Sequence, residues 1–172
     1  MLIGSIKAIR GLRDQVLLHL GYETMRRRSE LCRFKFEDVE LLPNGRAGIR
    51  LAFSKTDQFG SGKLIPMSKE LHDLIEMWGK RIGASGYLLR GVKRNGEVTR
   101  QLIPSSINVR LKQLQDLAGV QEIGGLSGHS FRVGAALDLL ENGESLEKIM
   151  LRGGWKSEST AIRYLREWQA GL

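Results

Sequence analysis

Ser127-Gly128-His129-Ser130-Phe131-Arg132-Val133-Gly134, followed by Gly153-Gly154-Trp155 and then Tyr164, is the stretch on which the reading of this chain turns. A helical period of 3.6 puts His129 and Arg132 one turn apart on the same face. The apolar stripe Val133, Ala136, Leu137, Leu140 extends that helix to about residue 140. Asn142-Gly143 and Gly153-Gly154 then punctuate two further helices, the first capped by Ser145 with Leu146, Ile149 and Met150 inward and Gly153 as its stop. The last helix carries Ala161, Tyr164, Leu165 and Trp168 on one stripe. An imidazole, a guanidinium, an indole N–H and a phenol returned by two tight turns suit a phosphodiester. The guanidinium can neutralise phosphate bidentately, the ring N–H groups can donate to its oxygens, and the phenol can attack phosphorus. Periodicity alone would make Tyr164 a core residue and His129 a core histidine. Arg132 weighs the other way, because a guanidinium at a core edge is costly unless it meets an anion.

Working outward, residues 7–20 predict a helix burying Ile9, Leu12, Val16, Leu17 and Leu20, closed by Gly21. A second short helix, capped by Ser29, runs through Leu31 and Phe34. Arg26-Arg27-Arg28 stand just before it, where the helix dipole is already positive. An anion held there would relieve the repulsion, and a solvated basic turn is the other reading. Residues 41–66 read as β: Pro43-Asn44-Gly45 is a turn, Ile49, Leu51 and Phe53 alternate, and Leu64-Ile65-Pro66 pairs with them. The loop between has Lys55 near one end and Lys63 at the other. Ser68 caps a helix with Leu71, Leu74, Ile75 and Trp78 inward, and 83–103 is a Gly-rich connection. The helix after Pro104-Ser105 buries Ile107, Leu111, Leu114 and Ala118. It turns Ser105, Asn108, Lys112 and Gln115 outward, which makes it the candidate for a major groove.

The chain has 172 residues, 41% hydrophobic and 27% charged, which fits a single globular domain over 1–172, mainly α with a small antiparallel β-sheet. A lone cysteine, Cys32, allows no internal disulfide. No apolar run reaches the length of a membrane span and no signal-peptide core is visible, so a cytoplasmic, DNA-associated location is expected and no membrane partner. Between Lys80 and Lys112, eight basic residues (Arg90, Lys93, Arg94 and Arg100 among them) face one acid, so this stretch carries +7 of the net +8. A polyanionic partner explains that asymmetry. The three histidines are far apart and no cysteine pair or acidic cluster suggests a metal site.

Together these segments, with Arg27-Arg28-Ser29-Glu30-Leu31 and Ser54-Lys55-Thr56, resemble the catalytic domain of the tyrosine recombinases, the phage integrase family. The resemblance covers roughly residues 11 to 168. It implies that Arg27 is the first catalytic arginine, supported by Glu30, with Arg26 and Arg28 beside it on DNA. Lys55 is implied as the β-hairpin general acid, with Lys63 as its substitute, and His129 and Arg132 as the His-x-x-Arg pair. Trp155 stands where the family usually has histidine; an indole can donate to phosphate but cannot exchange a proton. Tyr164 is implied as the nucleophile that forms a 3′-phosphotyrosyl bond to double-stranded DNA. The resemblance further implies a tetramer of protomers on DNA, a monomer without it, no cofactor, metal or ATP, and an N-terminal core-binding domain that is absent from this chain. Weak, strongly salt-dependent DNA binding is expected from the missing half of the clamp.

Two rivals stand beside this reading. Helices at 130–140 and 145–152 joined by Asn142-Gly143 imitate a helix-turn-helix regulator, which has no use for Tyr164. A type IB topoisomerase would share the chemistry without needing a partner site.

Overall fold

The computed structural model describes residues 2–51, 63–119, 127–155 and 160–171. Helix α1 (Leu2–Thr24) buries Val16, Leu17 and Leu20 completely, as its stripe requires. Gly21 does not close it. A Cβ there would lie 3.7 Å from Leu31 and 3.9 Å from Phe131, so the glycine sits where those side chains close over the helix. The stop is Met25, at φ 53, a left-handed conformation uncommon for a residue with a side chain. Its N–H still donates to Gly21 O at 3.1 Å, and Thr24 Oγ1 donates back to Leu20 O at 2.6 Å.

The chain turns into α2 (Arg28–Leu31), a single turn that ends before Phe34. Arg27, not Ser29, is the capping position, and the Glu30 carboxylate accepts the Arg27 backbone N–H at 3.3 Å. A 3₁₀ turn (Phe36–Asp38) leads to β1 (Val39–Leu41), β2 (Ala47–Leu51) and β3 (Lys63–Pro66), antiparallel in the order β1-β2-β3. Pro43-Asn44-Gly45 makes the first turn as read, with Gly45 at φ 80 donating to Leu42 O. Val39 opposes Ile49 and Ile49 opposes Ile65, which sets Ile49 and Ile65 on the core face. Phe53 lies outside the described residues.

Ser68 Oγ accepts the Leu71 N–H at 3.1 Å and caps α3 (Lys69–Ile82), whose Leu71, Ile75 and Trp78 are buried. Trp78 Nε1 donates to Leu88 O at 2.8 Å and so fastens the irregular 83–103 connection to the core. In α4 (Pro104–Ala118), Ile107 and Leu111 are buried as read. Gln115 is a correction: expected to face outward, it is 7% exposed, while Ala118 lies in solvent. Which residues of a stripe are covered depends on where the neighbouring elements cross it, and periodicity does not report that.

Helices α5 (Gly128–Glu141), α6 (Leu146–Gly153) and α7 (Thr160–Gly171) build a second apolar cluster from Ala135, Ala136, Leu140, Leu146, Ile149, Trp155, Ile162 and Leu165, with Met25 of the first turn inserted into it. Ile162, outside the stripe read from the sequence, is fully buried. Ser145 caps α6 as expected; its left-handed stop is Gly154, at φ 71, rather than Gly153. No helix among the described residues is long and apolar enough to cross a membrane. The architecture is the mainly helical fold with a small antiparallel sheet that the sequence predicts.

Candidate active site

Arg132 is only 6% exposed, and its guanidinium packs against Met25 and Trp155 of the second cluster. Its Nε donates to Met25 O at 2.9 Å and its Nη2 to Gly153 O at 2.7 Å. Its Cζ stands 4.4 Å from the centre of the Trp155 ring, a cation–π stack. Gly153 is small for this reason: a Cβ there would lie 2.2 Å from Trp155 Cζ3. Among the described residues no carboxylate forms an ion pair with Arg132. Burial, and after it the charges of Arg27 and then Arg26, push this guanidinium down to about 10, with Glu30 opposing. A buried cation flanked by further cations is a site that an anion would stabilise.

The three arginines of the first turn divide their work. Arg27 and Arg28 are exposed, and the Arg27 charge acts on Arg132. Arg26 is 4% exposed. Its Nε donates to Thr24 O at 3.2 Å, its Nη2 donates to Arg152 O, and its Nη1 lies 3.9 Å from Glu30 Oε2. Arg26 spends these donors on the protein. Glu30 meets Arg27 through the backbone amide and Arg26 through the side chain.

Lys63 opens β3 and donates from Nζ to Leu151 O at 2.7 Å, at the end of α6. Burial, then Arg26 and Arg152, lower its pKa, with Glu30 acting the other way. Arg152 is a member of this cluster that the sequence reading missed; its signal is a basic residue in the last turn before Gly153-Gly154. Among the described residues, Glu30 lies beside Arg26 and its charge acts on Arg132 and Lys63, while Arg26 and Arg27 act on Arg132 and Arg26 and Arg152 on Lys63. Lys55 lies outside the described residues. The backbone puts His129 one turn before Arg132 on α5 and Tyr164 on α7; their side chains are also outside the description.

Comparison with known proteins decides the family. The model of the phage integrase family matches residues 2–170. The chain belongs to the phage integrase family. It is 29% identical over 169 residues to recombinase Cre of Escherichia phage P1, covering 90% of this chain and 49% of Cre. It is 31% identical over 165 residues to a XerD integrase/recombinase homologue of Selenomonas ruminantium, covering 91% of this chain and 48% of that protein. The chain thus spans about half the length of these relatives. Among solved structures, the XerH site-specific recombinase in a post-cleavage complex with palindromic difH substrate superposes with a TM-score of 0.71 at 18% identity, over 99% of this chain and 48% of that one. The XerA recombinase gives 0.67 at 21%, over 95% and 60%. Both share the fold. Membership in this family does not favour a helix-turn-helix regulator or a topoisomerase.

The remaining basic residues of this integrase-family chain are variously engaged. Arg90 holds its own loop, donating to Tyr87 O at 2.7 Å and to Ser85 O beside the Phe36 ring. Lys93 pairs with Glu97 at 3.0 Å, and Arg100 lies over Tyr87 at 5.9 Å. Arg94 and Lys112 are exposed, and Asn108 is half-buried on α4.

Proposed function

We propose that this chain is the catalytic domain of a site-specific DNA recombinase that cleaves and rejoins double-stranded DNA through a 3′-phosphotyrosyl intermediate. The observation that carries the reading is Arg132, buried against Trp155, held by two carbonyls and with no carboxylate partner among the described residues. A phosphodiester is the anion that this family membership and the basic 80–112 stretch both favour. In the reaction, the Tyr164 phenol oxygen attacks phosphorus and the bond from phosphorus to the 5′-oxygen breaks. Arg27, Arg132 and Trp155 hold the nonbridging oxygens of the transition state, where one preorganised donor is worth ~10²–10³ in rate. Lys55, or Lys63 in its place, gives a proton to the leaving 5′-oxygen. His129 takes the phenol proton or orients the phosphate, and such acid–base help adds roughly 10²–10⁴. The covalent bond keeps the energy for religation, when a free 5′-hydroxyl reverses the steps. The same reading makes the working form a tetramer of protomers on DNA, in the cytoplasm with the nucleoid.

The test is a nicked suicide duplex incubated with the protein in EDTA. A covalent protein–DNA band is expected from the parent chain, absent in Tyr164→Phe and lost in Arg132→Ala. Salt-sensitive retardation with no covalent band would leave a DNA-binding protein without this chemistry.

A further inference from the structure

Two turns far apart in sequence meet at one side chain. The first, residues 24–28, carries Arg27; the second, residues 152–155, carries Trp155 and supplies the Gly153 carbonyl to Arg132. Arg26 lies between them. We propose that Arg26 is a positioning residue for the reaction: a buried guanidinium that clamps the Arg27 turn to the Gly153-Gly154-Trp155 turn. The inference rests on the recombinase reading above for its catalytic consequence, but the clamp itself does not.

The geometry is specific to a planar fork. One edge of Arg26 donates from Nε to Thr24 O within its own turn, and Nη2 donates to Arg152 O across 126 positions of sequence. Its outer face meets Gly154, where a Cβ would lie 3.1 Å from Nη1 and 3.3 Å from Nη2. Glycine suits position 154 twice, for its left-handed φ of 71 and because a side chain there would press on the guanidinium. Glu30 balances the charge at 3.9 Å from Nη1. Arg26 already has the Glu30 carboxylate beside it, whereas Arg132 has no carboxylate partner among the described residues. Arg26 sets the distance between Arg27 on one turn and the Trp155–Arg132 stack on the other. A lysine keeps the charge but has one nitrogen where Arg26 uses two nitrogens of one plane, so charge and clamp separate experimentally.

The test compares Arg26→Met and Arg26→Lys with the parent by hydrogen exchange of the free protein and by single-turnover cleavage of the suicide duplex at saturating DNA. Faster exchange at 24–28 and 152–155, with the α3 amides unchanged, is the expected mark of a released clamp. Misplacement of this order should slow covalent-bond formation about 10²-fold in Arg26→Met. DNA affinity should stay within roughly threefold, because a reacting-state interaction is the one removed. Arg26→Lys should be slow as well, showing that charge alone does not suffice. Unchanged exchange at either turn, or Arg26→Met cleaving within roughly threefold of the parent, overturns the proposal. If the parent forms no covalent complex, the recombinase reading fails, while the exchange data still decide whether the clamp exists.

Discussion

Arg132 shows how a single residue can be expensive and still be kept. Removing a guanidinium from water costs several kcal/mol, and two carbonyls and an indole face return only part of it. The arrangement depends on Gly153 having no side chain. Gly153→Ala would set a methyl 2.2 Å from the indole, so the ring must tilt off Arg132. A loss of ~1–3 kcal/mol in denaturant unfolding is expected, together with slower covalent-complex formation. A fully stable variant with parental cleavage would show that the stack is unimportant. Arg132 and Trp155 were legible in the sequence because an arginine beside an apolar stripe and a Gly-Gly-Trp turn are both unusual. The division of labour among Arg26, Arg27 and Arg28 was not. Three identical side chains in a row offer no pattern, and which one points inward is set by Met25 at φ 53, a conformation that propensity does not predict.

Among elements, the contact of α1 with α5 brings the arginine turn to Arg132. Phe131 packs near Gly21, and Tyr22 donates its hydroxyl to Asp138. That hydrogen bond, then burial and the carboxylate charge, push the Tyr22 phenol up to about 12. The folded pKa lies above the unfolded value of about 10, so the bond's contribution is whole below that pH and is lost as pH rises through about 12. Ultraviolet titration should show a late ionisation that is absent in Tyr22→Phe and shifted down in Asp138→Asn. Titration of Tyr22 at the ordinary tyrosine value would contradict the tie. Helix identity was readable along most of the chain, since caps such as Ser68 and Ser145 and the stripes of α3 and α6 are local. Burial of Gln115 and the passage of α1 through Gly21 were not, because both depend on elements distant in sequence.

For the whole molecule, the buried Arg132 becomes a functional statement. Arg132 is buried with no carboxylate partner among the described residues and with the charges of Arg27 and Arg26 against it, so an anion should stabilise the fold. Inorganic phosphate at 100 times its Kd would add about 2.7 kcal/mol, raising Tm by roughly 5–10 °C for a chain of this size. Arg132→Ala should lose most of that increment. An equal rise in the variant would place phosphate elsewhere. DNA affinity should likewise fall steeply with salt, in proportion to the phosphates neutralised.

The chain contains three tyrosines, Tyr22, Tyr87 and Tyr164, so the site of covalent attachment can be read directly. Proteolysis of the complex trapped on a suicide duplex, followed by mass spectrometry of the nucleotide-bearing peptide, should find the phosphate on Tyr164. Attachment at Tyr22 or Tyr87, or no attached nucleotide on any tyrosine, would contradict the account.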